Sequence, residues 1–314
     1  MSPRGRRSAE MGDDTMTSPA IEMEELTRRF GDQTAVKGLS LAIPAGSTFG
    51  FIGPNGAGKT TTIRMLMGML RPTAGRARIL GIDVARDPAA MKQRVGYVPE
   101  LHYIYRWMRV GEAVRFCRSF YRTWNDELSA ELLELFELDR GKRVKHLSKG
   151  MVAKLALLLA VAHEPEVLIL DEPTSGLDPI IREEFLDGVL RTLCARQRTV
   201  FFSSHTLSDV QRLADTIGIL YGGQLLAVRP TDELVNGTKR IRAVLPDGAA
   251  PARPPAGTIW QRVERREWLL TVTGYTPRTL DHLREHNPVD NVEIIDVGLE
   301  EVFKDFVRGQ RVSA

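Results

Sequence analysis

Apolar and polar residues alternate along Ile21–Leu41, with a break at Phe30-Gly31-Asp32. That period and that turn chemistry predict a pair of antiparallel strands. Ser47–Ile52 is a short apolar run ending in glycines, and Thr60–Leu70 returns to apolar positions at helical spacing. From Val110 to Leu138, Glu, Leu and Phe recur every three or four residues, which predicts mainly helix, and Lys154–Ala162 continues in the same way. Val167–Leu170 and Thr199–Ser203 have the length and apolar density of buried strands. Pro246–Gly257 is rich in Pro, Ala and Gly and reads as a linker or long turn. Beyond it, Trp268–Thr273 and Val292–Val297 read as strands, and Thr279–Arg284 and Leu299–Val307 as helices.

Three units follow from this pattern. Residues 1–20 are small, polar and patternless, and are expected to form a disordered arm. Residues 258–314 read as a small α+β appendix, and the chain between these ends is the main folded unit. There is no internal repeat and no heptad series.

Composition narrows the classes. The chain has 314 residues, 43% of them hydrophobic, too many for wholesale disorder. Its 43 basic and 40 acidic residues leave a net charge of +3, which gives no strong field for nucleic acid. Two cysteines, Cys117 and Cys194, make neither a disulfide framework nor a four-cysteine zinc site. The longest apolar run, Leu155–Ala162, is far shorter than the roughly 20 residues needed to span a bilayer. Arg4, Arg6 and Arg7 are followed by no apolar stretch, unlike a secretory signal. A cytoplasmic protein is expected.

Candidate chemistry begins at Gly53-Pro54-Asn55-Gly56-Ala57-Gly58-Lys59-Thr60, which fits G-x-x-x-x-G-K-S/T between a strand and a helix. Glycines let successive backbone N–H groups turn toward phosphates, and the following helix aims its positive end at the same anions. Lys59 would reach the β- and γ-phosphates, and Thr60 would hold Mg²⁺. A glycine turn before a helix explains the glycines but not the Lys-Thr pair. Val167–Leu170 delivers Asp171 at a strand end, where a carboxylate can hold Mg²⁺. Glu172, next along, could activate water as a general base. Alone, two acids after a strand are more often an ordinary turn; with the glycine loop they gain meaning.

With these segments and four more in order, the chain resembles the ATP-binding subunits of ABC transporters. Leu147-Ser148-Lys149-Gly150-Met151 stands where that family has its LSGGQ signature, with Ser148 lying 23 residues before Asp171. Ser175-Gly176-Leu177-Asp178 matches the D-loop, and Ser203-Ser204-His205 matches the switch-histidine segment. Phe30, 23 residues before Gly53, matches the aromatic that stacks on adenine. The resemblance covers about Ile21–Arg229. It implies an α/β P-loop NTPase fold over 21–240: a RecA-like core, an N-terminal antiparallel β subdomain and a helical subdomain inserted at about 100–160, with 241–314 as a small C-terminal α+β accessory domain.

It also implies MgATP as the ligand, held by Phe30, Val36, Gly53–Thr60 and Thr61. Ser148, Gly150 and Asp178 would complete the site of a second ATP-binding subunit, packed head to tail as a homo- or heterodimer. Lys59, Glu172 and His205 would be catalytic, with Thr60, Glu100 and Asp171 at the metal. Ser148 reads independently as the N-cap of the apolar helix after it. A polytopic permease would be the membrane partner, placing the chain on the inner face of the cell membrane, with no nucleic acid expected.

Two departures stand out. The signature is LSKGM, with Lys149 and Met151 replacing Gly and Gln, and Glu100 stands where a glutamine is usual after Pro99. A carboxylate there could approach Mg²⁺ but would repel a γ-phosphate. Downstream, seven aromatics fall between Tyr103 and Trp124, interleaved with Arg106, Arg109, Arg115, Arg118 and Arg122. Aromatic core with snorkelling arginines is one reading; a docking surface is the other. Tyr103–Met108 is expected to contact the permease and Phe116–Trp124 to be mainly core.

The leading function is thus a transporter ATPase subunit, with the Leu299-Glu300-Glu301-Val302-Phe303 ending resembling the ABC-2, exporter-like branch. The alternative is a non-transport ATPase of DNA repair or translation. About ninety residues between Lys59 and Ser148, one phosphate loop and two cysteines argue against its coiled-coil, double-cassette and zinc-bearing forms.

Overall fold

A computed structural model describes residues 18–194 and 198–312. Residues 1–17 of the expected arm and the Cys194 side chain lie outside it; Ala20, the arm's last residue, is buried and its N–H bonds the Ile43 carbonyl.

The expected hairpin is β1 (Ile21–Phe30) and β2 (Gln33–Ile43), joined at Gly31-Asp32. It is half of a four-stranded antiparallel sheet, β2-β1-β4-β5, completed by β4 (Ala74–Ile79) and β5 (Ile82–Asp83). The second sheet has the order β10-β9-β3-β8-β7-β6. Its strands β3 (Thr48–Ile52), β6 (Val95–Val98), β7 (Val167–Asp171), β8 (Thr199–Ser204) and β9 (Thr216–Tyr221) run parallel. The edge strand β10 (Gln224–Pro230) runs antiparallel to β9. Strands β7 and β8 are buried at every position, as continuous apolar runs covered on both faces must be.

One face of this sheet packs on α1 (Lys59–Leu66) and the first sheet, through Phe49, Phe51 and Phe201. The other face packs on α5 (Lys149–Val161) and α6 (Pro179–Cys194), through Leu168, Leu170 and Phe202. The helical stretch Val110–Leu138 is two helices, α3 (Val110–Arg118) and α4 (Asp126–Leu135). Asn125 caps α4 by accepting from Leu128 N at 2.8 Å, so the chain restarts there instead of continuing. Between β5 and β6 lies α2 (Pro88–Arg94), capped by Asp87.

The C-terminal unit is a sheet ordered β12-β13-β11-β14. Its strands are β11 (Lys239–Val244), β12 (Thr258–Glu264), β13 (Glu267–Val272) and β14 (Asn291–Asp296). The boundary read at 240/241 falls inside β11, whose partners β13 and β14 both belong to the appendix. Pro246–Gly257 is therefore a connection within this unit. Helix α9 (Pro277–His286) supplies Leu283 to its core, alongside fully buried Trp268. Helix α10 (Leu299–Val312) packs on β12 and also joins the cassette's core through Leu299 and Val302, touching α7 (Leu207–Leu213) and α8 (Thr231–Val235).

Candidate functional site

The parallel sheet gathers the predicted chemistry at the carboxyl ends of its strands, where open α/β sheets bind ligands. Register does the gathering: Asp171 lies opposite Ser203, and Ile52, just before the glycine loop, lies opposite Ser204, just before His205. The next strand over, β6, leads through Pro99 to Glu100.

The loop Gly53–Lys59 has little room for side chains. Gly58 sits at φ +107°, and a Cβ on it would come within 2.5 Å of the Ala35 carbonyl. Gly58 also precedes α1 as an N-cap with no capping side chain, and no acid occupies the helix's first turn. The first N–H groups are thus left to an anionic ligand. Lys59 is buried, donating to the Gly53 carbonyl at 2.7 Å and lying 3.1 Å from Glu172 Oε1. The lysine–glutamate contact is an ion pair by distance rather than an aligned hydrogen bond, since Oε1 has no donor in line.

Asp171 and Glu172 differ in surroundings despite being adjacent. Asp171 is buried, and its Oδ1 accepts from Ser203 Oγ at 2.8 Å and Thr60 Oγ1 at 3.1 Å. Burial pushes its carboxyl above the usual aspartate range, partly offset by those two hydrogen bonds and reinforced by the charges of Glu100 and Glu172. Glu172 sits at φ +46°, a strained conformation for a side-chain-bearing residue. There its Oε2 lies 2.6 Å from His205 Nδ1 and accepts from the His205 N–H at 3.1 Å.

Asp171 feels the charges of Glu100 and Glu172, a local excess of negative charge that suits a cation. Among the described residues no group of three or more His, Cys, Asp or Glu could hold a metal alone. Thr60 Oγ1 and Asp171 Oδ1, 3.1 Å apart, offer the hard oxygens that Mg²⁺ takes when it shares its shell with phosphates. The donor set fits that ion.

A cavity of about 630 Å³ holds most of the expected residues: Phe30, Pro54–Thr61, Glu100, Glu172 and His205. Phe30 is half exposed at the cavity's rim with Arg28 over its ring at 4.6 Å. Val36, expected to contact the nucleotide, is fully buried in the core behind Gly58. Its alternating strand position turns it inward, and Gln33 and Ala35 line the cavity instead. Ser175 lines it too, and Ser203 anchors both acids, donating to Asp171 and accepting from the Glu172 N–H at 3.1 Å. Ser203 and Ser175 stood within matched segments, but no spacing singled them out.

Ser148, Gly150 and Asp178 lie apart from this cavity. Ser148 Oγ caps α5 by accepting from Met151 N at 3.2 Å, and Asp178 caps α6 through Ile181 N at 3.1 Å. The two helix starts abut: a Cβ on Gly150 would come within 2.2 Å of Ile181 Cγ2. Lys149 extends its ammonium over Gly176. Signature and D-loop thus share one surface.

The aromatic segment is more exposed than its pattern implied. Tyr103, Tyr105 and Trp107 are exposed, as expected of a contact, but Met108 is buried. Phe116 and Phe120, expected in the core, are also exposed, and pack edge-on in a ladder running Trp107–Tyr105–Phe116–Phe120. The short α3 buries only Val110 and Ala113, which leaves the other side of the helix outside. Beside the ladder, a second cavity of about 460 Å³ runs from Thr60 and Asp171 past Glu100 and Leu101 to Tyr103.

The sequence profile of the ABC transporter family matches residues 36–175. The bacitracin transport ATP-binding protein BcrA of Bacillus licheniformis is 36% identical over 219 residues, covering 69% of this chain and 72% of BcrA. The chain belongs to the ABC transporter ATP-binding family. The Nod factor export ATP-binding protein I of Rhizobium meliloti strain 1021 is 36% identical over 66% of this cassette chain and 63% of its own length. The probable multidrug ABC transporter ATP-binding protein YbhF of Escherichia coli K12 is also 36% identical, but the match spans 38% of it. The chain thus spans between about a third and three quarters of these relatives. A solved ATP-binding subunit of an ABC transporter superposes with a TM-score of 0.63 at 27% identity, covering 69% of this chain and 92% of the other. A cassette solved as a post-hydrolysis dimer with ADP and Pi superposes at 0.61 and 20% identity, over 67% and 98% of the two chains, which supports the fold alone.

Proposed function

We propose that this cassette binds MgATP between two copies of itself, or itself and a paralogue, and hydrolyses it to drive a separate membrane permease. The observation that carries this is the division of the chemistry between two surfaces. Phosphate loop, Glu172, Glu100 and switch histidine share one cavity, whereas Ser148, Gly150 and Asp178 lie apart from it, where they would serve a second subunit. ATP would stack its base on Phe30 and lay its phosphates on the loop and the open end of α1. Thr60 and Asp171 would hold Mg²⁺, which supplies charge neutralisation at the phosphates when bound.

Glu172, kept off Asp171 by its own backbone turn, would accept the proton of the attacking water. His205, already bonded to Glu172, would orient that carboxylate and reach the γ-phosphate. Lys59 would stabilise the charge that builds on the transferred group. Glu100 lines the same cavity and the neighbouring cleft, so it is placed to relay phosphate contacts outward.

The permease would dock on the cleft from Glu100 to Ile104 and on the exposed aromatic ladder. No helix among the described residues is long and apolar enough to cross a membrane, so membrane attachment on the inner face would come through that partner. Export is the direction supported by the Nod factor export relative. The test is Glu172→Gln in the full chain. Loss of hydrolysis with an ATP-dependent dimer in size-exclusion chromatography supports the reading; a variant that stays monomeric with ATP overturns it.

A further inference from the structure

Two residues after the switch-histidine turn, helix α7 carries a buried acid that the catalytic reading leaves unused. Asp209 is 3% exposed and both its oxygens are occupied. Oδ2 accepts from Thr174 Oγ1 at 2.7 Å, and Oδ1 accepts from Arg182 Nε at 2.7 Å. Arg182 Nη2 lies 2.5 Å from that same oxygen and also donates to Ser208 Oγ at 3.0 Å.

What distinguishes this network from an ordinary buried ion pair is where its members sit in the chain. Thr174 follows Glu172 by two residues. Arg182 lies in the first turn of α6, its N–H bonded to the Asp178 carbonyl at 2.9 Å. Asp209 follows His205 by four. One carboxylate therefore holds Thr174 and Arg182, which bracket Ser175–Asp178, and fixes them to the helix that begins two residues after the switch histidine. Helix α7 is itself held from behind, since Val210 and Leu213 share the core with Val302 of α10. The segment between Thr174 and Arg182 includes Gly176 at φ +66° and Asp178, which cap or flank the surface meeting the second subunit.

We propose that Asp209 is a positioning residue that locks the general base, the D-loop and the switch histidine into one unit, so that contacts made by the D-loop at the subunit interface set the Glu172–His205 geometry. The inference rests on the roles proposed above for Glu172 and His205. Small displacements of such a pair are costly in rate, of order a hundredfold per ångström of misplacement. Ground-state binding of ATP, made by the phosphate loop and Phe30, does not pass through Asp209. The effect belongs in kcat rather than KM.

The experiment measures ATPase kinetics, ATP-dependent dimerisation and thermal melting for Asp209→Asn, Arg182→Gln, their double variant, and Thr174→Val, with Arg182→Lys as the conservative control. Asp209→Asn and Arg182→Gln are expected to lower kcat about tenfold or more, with KM for ATP within about twofold. The double variant is expected to fall no further than the worse single, because one unit is broken only once. Arg182→Lys should recover part of the loss, and the Hill coefficient for ATP should drop toward one in the non-conservative variants. A folded Asp209→Asn with kcat within about twofold of wild type overturns the proposal, as do losses that multiply in the double variant. Should Asp209→Asn fail to fold, Thr174→Val and Arg182→Gln decide on the same criteria. Glu172→Gln separates this proposal from its foundation. If Glu172→Gln hydrolyses ATP normally, the catalytic reading fails; if it is inactive while Asp209→Asn is normal, only the positioning role fails.

Discussion

Lys59 and Glu172 face each other 3.1 Å apart inside the cavity proposed for the nucleotide, both almost wholly shielded from water. In the mechanism proposed above, a phosphate would compete with this carboxylate for the Lys59 ammonium, so the pair would tie phosphate binding to release of the base. Glu172→Gln removes the charge that Lys59 must leave. ATP affinity should rise severalfold while turnover falls by about two to four orders of magnitude, the usual worth of a general base. Equilibrium binding of a fluorescent ATP analogue alongside single-turnover hydrolysis checks both. Weaker binding in the variant would show that the ion pair does not compete with ligand.

Asp171 supplies a second prediction, with its sign set by burial. A carboxyl whose pKa is raised in the folded state is destabilised in its charged form, so the stability it contributes is present at low pH and lost as pH rises through the folded value. Asp171→Asn keeps an acceptor for Thr60 and Ser203 without the charge, and should raise the Tm at pH 7 measured without nucleotide. The same substitution removes a hard anionic oxygen from the expected Mg²⁺ position. Mg²⁺-dependent ATP binding should weaken markedly. In the wild type that Mg²⁺ dependence should fade on acidification at a higher pH than an ordinary aspartate would give.

Much of this site was legible because the chemistry-bearing residues sit at fixed distances from strand ends. Asp171, Glu172 and His205 each end or follow an apolar run, and parallel register then places them side by side. Val36 was misplaced for a physical reason: it matched a position in a resemblance, whereas strand alternation decides which of Ala35 and Val36 meets the cavity. The boundary read near residue 240 falls within a strand for a similar reason. β11 carries Lys239, Arg240 and Arg242, whose charges mask its period, yet those arginines pair with Glu267, Glu293, Glu301 and Asp305 of the appendix. Asp209 was invisible because its partners Thr174 and Arg182 come together only through the α6–α7 packing.

The aromatic ladder yields a prediction about assembly. Trp107, Phe116 and Phe120 expose broad apolar surface beside the Glu100 cleft, and truncating the few residues that act as hot-spot anchors in an interface costs about 2 kcal/mol or more each. Trp107→Ala and Phe116→Ala should each reduce recovery of the cassette with native membranes at least tenfold, while the purified chain retains its ATPase rate and Tm. Membrane recovery at wild-type levels in both variants would remove the ladder from the docking surface.

His163 should set the acid limit of the fold. Its ring is buried, stacks on Tyr121 at 3.8 Å between centroids, and has no well-aligned partner on either nitrogen. Burial pushes its pKa from 6.5 down to about 4, with the Arg198 charge adding to the shift and weak backbone contacts at Val95 and Leu159 opposing it. An unfolded chain takes up that proton near pH 6.5 and the folded one resists it, so stability is complete above about 6.5 and is lost as pH falls toward 4. The shift corresponds to roughly 3 kcal/mol. His163→Phe keeps a ring on Tyr121 and removes the titration. Urea unfolding should show the wild type losing roughly 3 kcal/mol more than the variant between pH 7 and pH 4, whatever their difference at pH 7. A wild-type loss that His163→Phe reproduces in full would assign the acid sensitivity to other groups.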